Sequence, residues 1–189
     1  MDKRGKINSL VSSIIVRYLL LLLFAFPNLF LFYAVFTPLT LYPVYFLLNL
    51  FFDASISGNT ILVKCFSINL IQACIAGSAY YLFLILNLAT PEIRLKKRIS
   101  LVLSSFFIFL MLNILRIFVL SLLAIFGSDF FNPLHKLFWY SLSVIFVVGI
   151  WFAGVKLFRI KEIPFYSDIR FLFHLSSTKT NKKRKLKIK

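Results

Sequence analysis

Four stretches of this chain, Ile14–Phe36, Ala73–Ala89, Ile99–Phe126 and Leu137–Phe158, are almost wholly apolar, and each is bounded by Pro, Gly or a cluster of charge. A bilayer core of about 30 Å is crossed by about 20 helical residues, so these runs predict an all-α integral membrane bundle of four transmembrane spans. A fifth stretch, Leu39–Phe52, is apolar but short and contains Pro43. It predicts a re-entrant or interfacial segment that does not cross. The composition agrees: 60% of the 189 residues are hydrophobic, which excludes an ordinary soluble domain. The first run lacks a small-residue cleavage site after it and is expected to be a retained span.

The net charge of +16 would suggest nucleic acid in a soluble protein, but the basic residues lie outside the apolar runs. "MDKRGK" precedes the first span, "RLKKR" (Arg94–Arg98) joins the second to the third, and "KKRKLKIK" ends the chain. Lys and Arg beside spans are retained on the cytoplasmic side. Four crossings put all three clusters inside, with both termini cytoplasmic in the plasma membrane. The poorly charged segments Asp53–Gln72 and Gly127–Leu134 then face outside. The basic tail is read as an anchor to anionic lipid and not as a nucleic-acid site.

Residues 1–160 are thus expected to form one membrane domain. In the outer segment, "ISGNT" signals a turn, and "FSINLIQ" alternates Phe66, Ile68 and Leu70 with Ser67, Asn69 and Gln72. This predicts a small outer β-hairpin leading to Cys74 at a strand-to-helix junction. Phe165, Ile169, Leu172 and Phe173 share one helical face, so residues 161–176 predict an inner-surface amphipathic helix. Residues 177–189 predict a disordered basic tail. Tyr42, Tyr45, Trp139 and Tyr140 fit an interfacial aromatic belt.

Four residues stand out from this background: Cys74, Asn113, Arg116 and His135. An arginine inside "FLMLNILRIFVLSLL" costs about 2.5–3.5 kcal/mol at the bilayer centre, and such residues face a functional interior. Counting from Ile99 at about 1.5 Å per residue puts Arg116 about 26 Å across, in the outer leaflet. Asn113 precedes it by one turn on the same face. Cys74 begins the second span at its outer end, and His135, in "FNPLHKLFWY", begins the fourth at its outer end. Three separate spans therefore deliver a thiol, a guanidinium and an imidazole to one depth.

Nucleophilic acyl transfer uses such a set. A thiolate attacks a carbonyl, an imidazole moves protons, and a cation stabilises the thiolate or the tetrahedral oxyanion. The helix N-terminus and Arg116 or protonated His135 would activate Cys74. Gly77 and Ser78 leave room for a peptide one turn after the thiol. One Cys and one His at a common depth are too few for zinc, and no cofactor is expected. Cys65 is read as packing and not as a disulfide partner of Cys74. His174 falls on the inner side, and Asp129 reads as a solvated loop carboxylate. The competing reading is a non-enzymatic transporter subunit or assembly scaffold, in which Arg116 binds an anion or braces helices.

The order of a Cys in a short Ala/Gly motif, then "N-x-x-R-I" within a span (Asn113, Arg116, Ile117), then a His after a short outer loop, resembles the archaeosortase/exosortase family of integral membrane cysteine transpeptidases. The resemblance covers roughly residues 68–151. Many bacterial relatives place Gly two residues after the Cys, whereas "CIAG" here places Gly77 three after it. The short length and the Phe and Lys bias look more like compact archaeal members such as pacearchaeosortases. The resemblance implies Cys74 as nucleophile, Arg116 as catalytic arginine, His135 as catalytic histidine and Asn113 as their polar neighbour. It also implies the partners: substrate proteins ending in a short motif, a hydrophobic span and a basic cluster, and a membrane lipid or other acceptor.

Overall fold

A computed structural model of the chain describes residues 3–26, 28–64, 66–90, 93–138 and 143–158. Within these, the protein is mostly helical with one small antiparallel sheet. Helices α1 (Lys3–Ala25) and α2 (Phe30–Asn49) lead into strands β1 (Ala54–Ser57), β2 (Thr60–Val63) and β3 (Phe66–Asn69). Five helices follow: α3 (Gln72–Ile75), α4 (Gly77–Leu88), α5 (Leu95–Ile125), α6 (Phe131–Leu137) and α7 (Ser143–Leu157). The segments expected as an amphipathic helix (161–176) and a basic tail (177–189) lie outside the described residues, as do Cys65, Trp139, Tyr140 and His174.

Two helices, α2 and α5, are long and apolar enough to cross a membrane, whereas Ile14–Ala25, Gly77–Leu88 and Val144–Leu157 are shorter apolar helices. Among the described residues, two helices and not the expected four therefore have the length of a full span. The first apolar run is broken, because Asn28 and Leu29 adopt φ of 49° and 59°, left-handed angles that a right-handed helix does not continue through. Leu39–Phe52 is no separate interfacial piece either, since most of it belongs to α2. Pro38 and Pro43 sit inside that helix, where the packing of neighbouring helices tolerates what would break a solvated one.

Contacts trace how the first two helices run. Arg17 Nη1 donates to the Leu88 carbonyl at 3.4 Å, and Arg98 Nη1 reaches the same oxygen at 3.2 Å. Tyr81 Oη donates to Leu21 O at 3.0 Å, so α1 is antiparallel to α4. Phe32 meets Phe24 at 6.3 Å and Phe106 at 6.3 Å, while Phe52 meets Phe126 at 6.1 Å. Thus α2 continues beside α5 in the direction of α5. Together α1 and α2 make one broken path from the Arg94–Arg98 end to the sheet end.

The sheet has the order β1-β2-β3. Its first turn is Gly58–Asn59, with Ser57 opposite Thr60 and Gly58 at φ 59°, an angle glycine adopts without cost. The expected hairpin is thus present but extended by a further strand, with Val63 opposite Phe66.

Below the sheet an aromatic cluster locks α2, α4 and α5 together. The rings of Phe36 and Tyr80 stack at 3.5 Å, and Tyr80 meets Phe106 and Phe109 edge-on at 5.4 and 5.1 Å. Edge-to-face pairs of this kind exceed the value of their buried area by about 0.5–1.5 kcal/mol. Tyr80 is fully buried, yet among the described residues its hydroxyl has no hydrogen-bond partner. Tyr80→Phe, which removes only that unsatisfied group, is expected to leave stability unchanged or raised. Tyr80→Ala is expected to cost about 3–5 kcal/mol. Reversible unfolding in mixed micelles reads both, and a clear loss in Tyr80→Phe would show that the hydroxyl is bonded.

Candidate active site

Cys74 sits on a single turn between the sheet and the bundle. Its amide donates to Ile71 O at 2.8 Å, and Ala76 N closes the turn on Gln72 O at 3.1 Å. Ala76 then adopts φ 57° and ψ 43°, ending α3 and starting α4. This corrects the expectation that Cys74 opens the long helix. The left-handed Ala76 separates the thiol from the first turn of α4, so activation by that helix's dipole is not the operative geometry.

What holds the turn comes from α5. Asn113 Nδ2 donates to Cys74 O at 3.0 Å, and Arg116 Nη2 donates to the same carbonyl at 3.4 Å. The two residues lie one helical turn apart, which lets both reach one acceptor. Asn113 is buried, and its Oδ1 makes no hydrogen bond among the described residues. Both side chains therefore orient the main chain of Cys74, a role that residue spacing did not reveal.

His135 arrives by a different route from the one expected. Gly127 N donates to Ala124 O at 3.1 Å and Ser128 N to Leu123 O at 2.9 Å, with Gly127 at φ 63°. This is the Schellman closure of α5, in which glycine takes the left-handed position. The chain re-enters a helix at Phe131, so His135 lies in the last turn of the short α6 and does not open the following apolar helix. Its half-buried ring stacks on Phe131, with centroids 5.5 Å apart and planes 8° from parallel.

Cys74, Arg116, His135 and Ser78 line one cavity of about 630 Å³, a size usual for ligand pockets. Asp129 is exposed and is not part of its wall. Gly77 is also absent from the wall. A Cβ there would lie 2.7 Å from Tyr33 Cε1, so its smallness admits the Tyr33 ring and not a substrate, contrary to the expectation for it. Gly77→Ala is expected to lose about 1–3 kcal/mol through this overlap. Tyr33→Leu in the same chain should restore most of it, and a double-mutant cycle of thermal midpoints checks the coupling.

The cavity wall also contains Tyr33, Ser121 and all of β3. Sequence reasoning did not name these as site residues. The alternation in "FSIN" was the one signal that pointed to any of them. Comparison with protein-family profiles, with characterised proteins and with solved structures finds no match of the chain to any of them.

Proposed function

We propose that this chain is a membrane-embedded cysteine peptidase and transpeptidase that cleaves C-terminal sorting signals of exported proteins and passes the acyl group to a membrane acceptor. The observation that carries this reading is the meeting of Cys74, Arg116 and His135, from α3, α5 and α6, on one cavity. The Cys74 thiolate attacks the scissile carbonyl carbon, and the carbonyl electron pair moves onto oxygen. Collapse of the adduct expels the amine, which takes a proton from His135, leaving a thioester on Cys74. The acceptor nucleophile then attacks the thioester, gives its proton to His135 and releases the Cys74 thiolate, which restores the starting pair. Arg116 supplies positive charge to the thiolate and the oxyanion. Asn113 steadies the backbone of the nucleophile, and Ser78 borders the space the substrate fills.

In this reading α2 and α5 are full spans, and the shorter apolar helices complete the bundle. The broken path of α1 and α2 counts as one passage, followed by α4, α5 and α7. Positive-inside bias then leaves both termini cytoplasmic, with the sheet and the site outside the plasma membrane. A second reading, a scaffold braced by Arg116, draws on its bond to the α3 main chain. The test is co-expression with an exported protein that ends in a short motif, an apolar stretch and a basic cluster. Loss of that end in the intact mass, with added mass where an acceptor is joined, is the expected result. An unchanged mass rejects the peptidase.

A further inference from the structure

The free edge of β3 faces the cavity that holds Cys74. Leu70 N donates to Asn59 O at 3.0 Å, one register step beyond the Thr60–Asn69 pair. In an antiparallel ladder hydrogen-bonded and non-bonded pairs alternate, so Ile61–Ile68 and Val63–Phe66 are the bonded pairs. The amides and carbonyls of Ser67 and Asn69 therefore point away from β2. No strand lies on that side in the sheet order, and among the described residues neither makes a backbone bond there.

All four residues of β3 border the cavity, followed by Gln72, Ala73 and Cys74. Side chains on a strand alternate between faces, so a wall containing every residue from Phe66 to Asn69 is met along its edge. We infer that the substrate binds as an extended peptide that adds a fourth strand to β3, paired through the main chains of Ser67 and Asn69. Its scissile carbonyl then lies at the Cys74 end. This rests on the peptidase reading and names how its substrate is held.

The physical case is one of complementarity. An unpaired edge needs donors and acceptors spaced as in a strand. A peptide supplies them whatever its side chains, whereas a lipid acyl chain supplies none. Main-chain pairing gives affinity, and the pockets beside alternate side chains give selection. The same cavity is also lined by Ile117 and Leu120 of α5 and Val147 of α7, apolar side chains suited to such pockets.

The test uses the full chain in lipid nanodiscs and a degenerate library of hexapeptidyl chloromethyl ketones, whose chloride Cys74 Sγ displaces to form a thioether. The same library N-methylated at every amide is the comparison, and iodoacetamide reads thiol reactivity alone. Loss of two main-chain bonds corresponds to a fall of about tenfold. N-methylation is expected to slow Cys74 alkylation by that factor. Asn69→Pro removes an outward amide while sparing the β2 ladder, which proline tolerates at an edge. Losing one bond instead of two, it should show a fall of about threefold with iodoacetamide unchanged.

Equal rates for the two libraries overturn strand addition, also where Asn69→Pro fails to fold. So does a rate for the unmethylated library that falls as protein concentration rises, since the edge is then taken by a second copy. Normal processing of the co-expressed protein with methylation-insensitive alkylation rejects strand addition alone. Processing that survives Cys74→Ala rejects the peptidase reading itself.

Discussion

Cys74→Ala is expected, on the peptidase reading, to leave a folded chain whose processing of a co-expressed substrate falls at least roughly a thousandfold, as removal of a covalent nucleophile does in acyl-transfer enzymes. The fold should survive because what α5 grips at residue 74 is the main-chain carbonyl, which alanine retains. The thiol itself is only partly buried, so stability should change by about 1 kcal/mol or less. Cys74→Ser should fail nearly as completely, since a hydroxyl is far less acidic than a thiol and does not supply the anion that the thiolate does. Intact mass of the substrate and the thermal midpoint of the variant are the two readouts. Normal processing by Cys74→Ala would leave the scaffold reading standing and the peptidase rejected.

Arg116→Lys is the second large effect, with turnover expected to fall roughly a hundredfold or more despite the retained charge. Removal of one oxyanion donor costs about that much. An ammonium is a point charge, whereas the guanidinium presents a planar fork that can bond the Cys74 carbonyl and still offer N–H groups to the cavity. The loss should appear in kcat with KM little changed, because the interaction sought is with the transition state. If Arg116 only braced α5 against α3, lysine would lower the thermal midpoint and leave kcat near normal. Near-normal turnover with an unchanged thermal midpoint would show that charge alone suffices.

Much of this arrangement was legible in the residues. Apolar length marked where α2, α4, α5 and α7 lie, and counting residues along α5 singled out Arg116, which lines one cavity with Cys74 and His135. The break at Asn28–Leu29 was not legible, because two non-glycine residues at positive φ carry no compositional mark beyond the neighbouring Pro27. Pro43 misled for the opposite reason: a proline penalty weighed against solvent does not hold among packed apolar helices. The strand between the turn and "FSIN" was missed because "TILV" is apolar without the alternation that marks a half-buried strand. At the site, residue types and depth could be read, but targets could not. Whether Arg116 and Asn113 address a thiol or a carbonyl depends on how α3 is turned. The use of Gly77 depends on Tyr33, distant in sequence.

Ala76 decides that turning. Glycine would hold its left-handed angle at no cost, whereas a residue with a Cβ gives up about 1–2 kcal/mol to stay there. The backbone two residues after Cys74 is thus under tension, and relaxing it would straighten α3 into α4 and turn the Cys74 carbonyl away from Asn113 and Arg116. The chain forgoes some heat tolerance at one residue to keep Cys74 on the cavity wall.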